Sequence, residues 1–530
     1  MHTLTSTLTG AQLIIKVLNR LGVDTIFGYP GSVVLNMYDE LSKQSDIKHY
    51  LMRHEQSACH AAEGYAKVSG KCGVVLVTSG PGATNIVTGL ANAYYDGTPL
   101  IAITGQVSVD SLNKNSFQEV NILDITKSCT KAGFQIKSAS DICKKLINAY
   151  HIAISERKGP VVVDITKNVF SEISEIFYSD LIFDYDVSES FTQKDIYKFT
   201  AYINNSQRPV IIAGQGADSD SVKKLAQKTG IPIVTTMMSD YPVNDDNHIG
   251  MIGIFGKPSA NKAVIESDLV IAIGTRLNDR ATCCFDKKEL YSKLIKIDID
   301  KNETINALAG FTGDSKYILD ALIPYLSSKN NKDWFEYLKS LQEQAPPQKR
   351  SNRLHSFEVM EEIKKYFEDN MPFVTTEVGQ HQIWAVKYLK NGKNFVTSGG
   401  LGTMGFGFPA SIGASIANGN SPIICIAGDG SFQMSMHELS TCVDYKIPVK
   451  VFIFNNGYLG MVRQYQEKSC DGRYYATKIS SPDFIKLAES YGITGLKIEK
   501  FSDIKGVLDK AFSLNAPVLI DCRIEEMELV

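Results

Sequence analysis

The chain has 530 residues, of which 44% are hydrophobic and 21% charged, and a formal net charge of −3 at pH 7. One core does not grow that large, so about three domains are expected. The near-neutral charge offers no field for nucleic acid or an anionic membrane, and no apolar run is long enough to span a bilayer.

The N-terminus lacks the basic region and apolar block of a signal peptide. Instead Thr9-Gly10-Ala11-Gln12 has the spacing of a capping box and predicts a helix over AQLIIKVLNRLG. From there the pattern is strand, glycine turn, helix, many times over. GVVLVTSGPG, PLIAITGQ, GPVVVDIT, RPVIIAGQG, DLVIAIGTR, SPIICIAGDG and VKVFIFNN are short and fully apolar up to their turns. Such strands alternating with helical stretches imply an α/β fold, with parallel sheets covered on both faces. The pattern breaks at 171–195, which is acidic and aromatic, and at 327–355, which is polar and carries Pro346-Pro347. Both read as connections, the second partly helical, and leave three domains at 1–175, 190–330 and 355–530. Ten cysteines occur without a Cys-x-x-Cys spacing. The adjacent Cys283-Cys284 are expected as packing residues, and the usage predicts a reduced, cytoplasmic setting.

Three groups of residues carry chemistry. Gly428-Asp429-Gly430 and Asn455-Asn456 each close an apolar strand, so two strand ends deliver a carboxylate and a side-chain carbonyl to one sheet edge. These are hard oxygen ligands suited to Mg²⁺, and the flanking glycines Gly428 and Gly430 allow close approach of a diphosphate. Two ordinary strand-to-turn junctions would look the same. Glu55 in RHEQSACHAAEGYAKVSG precedes a helix of small residues (Ala58, Ala61, Ala62, Gly64) that lets another surface approach closely. A lone Glu beside Arg53 and His54 is more often a solvated charge. Finally, Gly214-Gln215-Gly216 and Gly274 end two strands, and the acids of KIDID end a third. Glycine turns followed by an acid follow the logic of a dinucleotide site, though Gly-Gln-Gly by itself is more often a plain turn.

Nine stretches in chain order resemble one family. They are FGYPG (27–31), RHEQ (53–56), TSGPGATN (78–85), FQE (117–119), GPVVVDI (159–165), GQHQIW (379–384), TSGGLGTMGFG (397–407), GDGSF (428–432) and NNGYLGMV (455–462). Together they are similar to the large subunits of the thiamine-diphosphate-dependent acetolactate synthases (acetohydroxyacid synthases), over nearly the whole chain. The resemblance implies three doubly wound parallel-sheet domains: pyrimidine-binding, central flavin-type and diphosphate-binding. It implies a homodimer or homotetramer in which Glu55 and the Gly-Asp-Gly motif of one site come from different chains, with a possible small regulatory subunit. Glu55 would hydrogen-bond the aminopyrimidine of the cofactor and tune its basicity. Asp429, Asn456 and the carbonyl of Tyr458 would hold Mg²⁺, with Gln380, His381 and Ser431 on the diphosphate. Gly402 and Met404 would lie against the cofactor; outside this context Met404 would read as gap-filling core.

The family's non-redox FAD would fall on Arg157, Gly214, Gly216, Phe255, Gly274, Arg276, Asp298 and Asp314. Gln118, Lys131, Arg276, Met461 and Tyr465 fall at active-site positions, Arg276 to orient a substrate carboxylate and Lys131 equally a solvated surface charge. The implied reaction decarboxylates pyruvate and passes the two-carbon unit to a second 2-oxo acid. The product is 2-acetolactate or 2-aceto-2-hydroxybutyrate, in branched-chain amino-acid biosynthesis. No His-His pair accompanies Glu55 or FQE in the sequence, which speaks against a simple decarboxylase. A related enzyme using another donor or acceptor, such as sulfoacetaldehyde, or a pyruvate oxidase is the alternative; a non-enzymatic relative would be expected to lack Glu55 or Asp429.

Departures from the family are specific. Tyr465 stands for Trp, Ser32 for Gly, Phe255 for His, Asn278 for Asp and Ala132 for His. The family's Pro- and Met-rich tail over the active site has no counterpart before Val530, which predicts looser closure or another covering element.

Overall fold

The computed structural model describes residues 4–177, 191–327, 331–341, 353–368 and 370–530. The expected capping box opens the first helix, Gly10–Arg20. Gln12 N donates to Thr9 Oγ1 at 3.3 Å and Thr9 N donates to Gln12 Oε1 at 3.1 Å. The helix buries Leu13, Ile14, Val17 and Leu18 on one face. A two-stranded antiparallel ribbon, Leu4–Thr9 with Ile173–Phe177, precedes it in space, a pairing that no local pattern announced.

The chain forms two compact units: Met1–Tyr185 with Ser351–Tyr388 and Val396–Leu529, and Asp186–Arg350 with Leu389–Phe395 and Val530. The first unit holds two six-stranded sheets. One runs, across the sheet, Lys48–Leu51, Thr25–Tyr29, Gly73–Val77, Leu100–Gln106, Pro160–Thr166, Ala132–Ile136. The other runs Phe395–Val396, Val374–Thr376, Ile423–Gly428, Val449–Asn455, Val518–Arg523, Thr494–Ile498. Numbered by chain order, both read 2-1-3-4-6-5. Connections leave strands 1 and 3 in opposite directions, which opens a crevice at their carboxyl ends where such folds bind ligands.

The two sheets share one core. Phe27, Val75, Val77 and Ala102 of the first lie in the same buried cluster as Cys425, Ala427, Val451 and Leu519 of the second. Between them the small-residue helix Glu55–Ser69 crosses Gly407–Ala417 in backbone contact. A Cβ on Gly64 would fall 2.0 Å from Ala410 O, and one on Gly413 only 1.8 Å from Ala61 O. Phe408 and Phe432 close the same cluster, and burying each ring is worth roughly 1.5–3 kcal/mol.

The second unit has one sheet, ordered His248–Met251, Ile233–Thr235, Pro209–Ala213, Leu269–Ile273, Leu294–Asp298, Ala309–Thr312. By chain order that is 3-2-1-4-5-6, the arrangement that dinucleotide-binding domains share. Helix Lys332–Ser340 docks on it through Trp334, whose Nε1 donates to Pro209 O at 3.1 Å. That helix is the described part of the second connection; residues 178–190, 328–330 and 342–352 of the two connections lie outside the described residues.

One expectation fails here. Cys283 and Cys284 are exposed rather than packed, because they follow the short surface helix Asp279–Thr282. All ten cysteines are free. Among the described residues no helix is long and apolar enough to cross a membrane.

Candidate active site

At the crevice of the first sheet, Glu55 is the first residue of helix Glu55–Ser69, capped by His54, whose Nδ1 accepts from Gln56 N at 3.1 Å. Glu55 is half-buried, and its Oε2 accepts from Asn85 Nδ2 at 3.0 Å. Close backbone approach builds the surroundings. A Cβ on Gly31 would meet Thr78 Cβ at 2.5 Å, one on Gly82 would meet Glu55 Oε1 at 3.5 Å, and one on Gly80 would meet Gln118 Cβ at 2.8 Å. Gly80 and Gln118 both have positive φ, +60° and +62°. The fold thus brings Gln118, more than sixty residues on in the chain, to the glycine turn beside Glu55.

The crevice of the second sheet lies between Val374–Thr376 and Ile423–Gly428. Asp429 is 1% exposed, and its Oδ2 accepts from Gly457 N at 3.0 Å and from Ser481 Oγ at 3.1 Å. Burial pushes its carboxyl up to about 6. Asn456 Oδ1 accepts from Tyr458 N at 3.0 Å, and its Nδ2 donates to Gln380 Oε1 at 3.4 Å. Gln380 Nε2 also donates to Gln464 Oε1 at 3.0 Å and to the Glu528 carbonyl at 2.9 Å. His381 is buried, its Nε2 lies 3.7 Å from Glu377 Oε1 and has no hydrogen-bond partner among the described residues, and desolvation holds its imidazole down to about 3, so the ring is neutral. Gly379 and Gly428 flank it; a Cβ on either would fall within 3 Å of the ring, at 2.4 and 2.9 Å. Gly428 N donates to Ser431 Oγ at 3.1 Å, and Ser431 Oγ donates to Glu377 Oε1 at 2.6 Å. Met404 Cε lies 4.0 Å from where a Gly430 Cβ would be, and Gly402 has φ +76°. Met461 and Tyr465 sit one turn apart on helix Gly460–Ser469, on a common face.

Glu377 escaped the sequence reading. It is 1% exposed, its other oxygen accepts from Gly407 N, and burial pushes it up to about 7. Its signal resembled that of Asp429: an acid at a strand end, here two residues before Gly379. Arg463, also missed, is buried, and its Nη2 donates to the Glu528 carbonyl at 2.9 Å.

Among the described residues no hydrogen bond joins Glu55 to Asp429 or Asn456 within one chain. The neighbours of the Glu55 turn are instead His437 and Glu438. Ser57 Oγ lies 3.4 Å from His437 Nε2, and the Arg53 and His54 amides donate to Glu438 Oε1 at 3.0 and 3.1 Å. The His54 and His437 rings are 5.8 Å apart. Folding therefore places the His437 ring beside His54.

Two predicted residues sit at the other end of the first sheet. Lys131 N donates to Pro160 O at the start of a strand, and its Nζ donates to Ile152 O and Ser155 O at 2.5 and 2.7 Å. It caps the C-terminus of helix Ile142–Ile154, where carbonyls accumulate negative charge. Arg157 donates to the Tyr94 and Tyr95 carbonyls, 2.8 and 3.1 Å, at the end of helix Val87–Asp96. Neither reaches the Glu55 crevice.

In the second unit the glycine turns meet at the switch between strands 1 and 4. A Cβ on Gly214 would fall 2.2 Å from Gly274 O, and one on Gly274 would fall 2.1 Å from Gly216 C. Ser315 Oγ donates to Gly216 O at 2.9 Å. Asp298, buried at its strand end, accepts from Asp300 N at 3.0 Å, and burial raises its carboxyl. Asp314 caps helix Ser315–Leu322, accepting from Lys316 N at 2.8 Å. Phe255 and Arg276 are half-buried in loops after strands His248–Met251 and Leu269–Ile273. Asn278, standing for Asp, still caps its helix, accepting from Ala281 N at 3.0 Å.

Comparison with known proteins agrees along the whole chain. Residues 8–125 match the N-terminal TPP binding domain of thiamine pyrophosphate enzymes, 196–322 their central domain and 377–522 their C-terminal TPP binding domain. The chain is 40% identical to the acetolactate synthase large subunit of Cyanidium caldarium, covering 98% of this chain and 94% of that one. It is 38% identical to the acetolactate synthase large subunit of Lactococcus lactis, over 98% and 93%. It is 40% identical to a probable acetolactate synthase large subunit of Methanocaldococcus jannaschii, over 98% and 92%.

Proposed function

The chain belongs to the acetolactate synthase large-subunit family of thiamine pyrophosphate enzymes, and from that premise we propose that it decarboxylates pyruvate and transfers the two-carbon unit to a second 2-oxo acid. The observation that carries the proposal is the crevice at Gly428-Asp429-Gly430, with Asn456 beside it. The residues there fit thiamine diphosphate and Mg²⁺. Asp429 is a buried acid whose carboxyl burial raises, His381 Nε2 is a buried polar atom with no hydrogen-bond partner among the described residues, and Gly379 and Gly428 let the backbone pass close to the His381 ring.

Asp429, Asn456 and the Tyr458 carbonyl would hold the metal on the diphosphate, with Gln380, His381 and Ser431 on its oxygens. Gly402 and Met404 would support the rings. Bound thiamine diphosphate supplies the chemistry that removes CO₂ from a 2-oxo acid and carries the remaining two carbons. Glu55 would keep a proton shared with the aminopyrimidine ring, oriented by its hydrogen bond from Asn85. From the family resemblance we read each site as shared between two chains, at least a homodimer. Gln118 would line the Glu55 side, and Met461 and Tyr465 the acceptor side, with Arg276 a candidate for the acceptor's carboxylate. Lys131 and Arg157 are better read as helix caps. Gly214, Gly216, Gly274, Asp298 and Asp314, with Phe255 nearby, favour a structural FAD in the second unit, and a small regulatory subunit is in keeping with the relatives' description as large subunits.

Incubation with pyruvate, Mg²⁺ and thiamine diphosphate should yield acetolactate; no product from any pair of 2-oxo acids would refute the assignment. Acetaldehyde release in the same assay would favour simple decarboxylation through the His54–His437 pair. Mixed pyruvate and 2-oxobutyrate, compared between the parent and Tyr465→Trp, should give different product ratios if Tyr465 selects the acceptor. Flavin absorbance of the purified protein tests the FAD.

A further inference from the structure

Resting on the cofactor reading above, we infer that Glu63 and Asn92 are positioning residues for the thiamine diphosphate site, fixing the loop that carries Gly402 and Met404. Glu63 lies on helix Glu55–Ser69 and Asn92 on Val87–Asp96, both over the first sheet. The loop between Thr397 and Phe406 belongs to the second sheet, yet many of its partners come from the first.

The hydrogen bonds run in one direction. Glu63, Asn92 and Ser398 are all at most 1% exposed. Asn92 Nδ2 donates to both carboxylate oxygens of Glu63 at 3.1 Å. That turns Asn92 Oδ1 the other way, where it accepts from Ser398 Oγ at 2.5 Å and Thr403 Oγ1 at 2.8 Å. With its proton given to Asn92, Ser398 Oγ accepts from Gly402 N at 3.1 Å and Thr403 N at 2.8 Å. A carboxylate only accepts, so Glu63 at the head of the chain sets the orientation of every group after it.

Further contacts hold the flanks. Asp96 accepts from Gly400 N at 2.7 Å and Gly399 N at 3.2 Å, and Lys67 Nζ donates to Asp96 Oδ2 at 2.7 Å and to Thr397 O at 3.0 Å. The His60 ring, with Nδ1 3.6 Å from Glu63 Oε1, stands edge-on to Phe406 at 5.2 Å. Held this way, Gly402 keeps its left-handed φ of +76°, and Met404 is presented two residues on. A buried network of this kind is costly to break at one link, because the groups left behind have no water to turn to. Helix Glu55–Ser69 thus serves two purposes: Glu55 at its first turn and the Met404 loop along its side.

The test titrates thiamine diphosphate, with excess magnesium chloride, into the full chain and three variants, followed by intrinsic fluorescence. Hydrogen–deuterium exchange of residues 397–406 is measured on the same proteins without cofactor. Asn92→Ala and Glu63→Gln should bind the cofactor about tenfold more weakly or worse, and their loop amides should exchange faster. At saturating cofactor the KM for pyruvate should stay at the parent value, whereas a purely structural defect would lower the folded fraction and leave the affinity of the folded protein alone. Thr403→Val removes one hydroxyl at nearly constant volume and should give a smaller loss in the same direction; it decides the matter if Asn92→Ala fails to fold. Parent-like cofactor affinity, or unchanged loop exchange, overturns the inference. A parent that binds no thiamine diphosphate overturns the cofactor reading itself, while the exchange data still show whether Glu63 and Asn92 hold the loop.

Discussion

The two sheets of the first unit repeat one strand order, and both gather candidate residues at the crevice between strands 1 and 3, but the two crevices are built for different partners. The first presents one half-buried carboxyl, Glu55, held by a neutral amide and ringed by glycine turns. The second buries two acids, Asp429 and Glu377, beside a histidine whose imidazole is held neutral. On the proposed reading, one would share a proton with a ring nitrogen and the other would take a cation and a diphosphate. The difference teaches that the backbone fixes where a ligand binds and the loop residues fix which ligand it is. The amino end of the first sheet sharpens the contrast: there, Lys131 and Arg157 are occupied with helix carbonyls.

The largest expected effect breaks the comparison on the Glu55 side. Glu55→Gln should slow both carboligation and deuterium exchange at the thiazolium carbon of bound cofactor by about 10²–10⁴-fold. An unchanged exchange rate would remove the first crevice from proton handling.

The second prediction concerns the buried acids. Burial raises Glu377 from 4.5 to about 7 and Asp429 from 3.8 to about 6. The unfolded chain ionises these groups at lower pH than the folded one does. The stability they contribute to the cofactor-free protein is therefore full below their unfolded values and is lost as pH rises toward 7, about 3 kcal/mol for Glu377 alone. Urea midpoints of the cofactor-free protein should fall across that window, and Glu377→Gln should flatten the fall. A midpoint that rises with pH, in both proteins alike, would contradict the picture of an acid buried without a counter-charge.

The smallest effect is at the opposite end of the sheet. Lys131→Gln should cost about 1 kcal/mol of stability through the lost helix cap and leave the specific activity unchanged. A large loss of kcat would place the amino end of the sheet in the site after all.

Much of this was legible locally. Gly428-Asp429-Gly430 and Asn455-Asn456 stand out because apolar strands, glycine turns and polar strand ends are adjacent in the chain. The Thr9–Gln12 capping box lies within one turn, and the small residues after Glu55 announced close approach by another surface, which is the helix Gly407–Ala417. What stayed hidden depended on distant partners. Burial raises the Glu377 carboxyl against the hydrogen bonds from Ser431 and Gly407, which lower it, and Cys283 and Cys284 lie on the surface because they follow a short surface helix. The histidine beside His54 comes from the other sheet.

The sequence by itself determined the α/β alternation, the residues that end each strand, and the family to which they belong, since these rest on spacing within a few residues. Only the tertiary structure decided which strand ends are neighbours, which end of a sheet Lys131 and Arg157 occupy, and that Asn92 meets Ser398 across 306 residues. The physical reason is that burial and hydrogen-bond partners are set by packing between elements, and packing has no period along the chain.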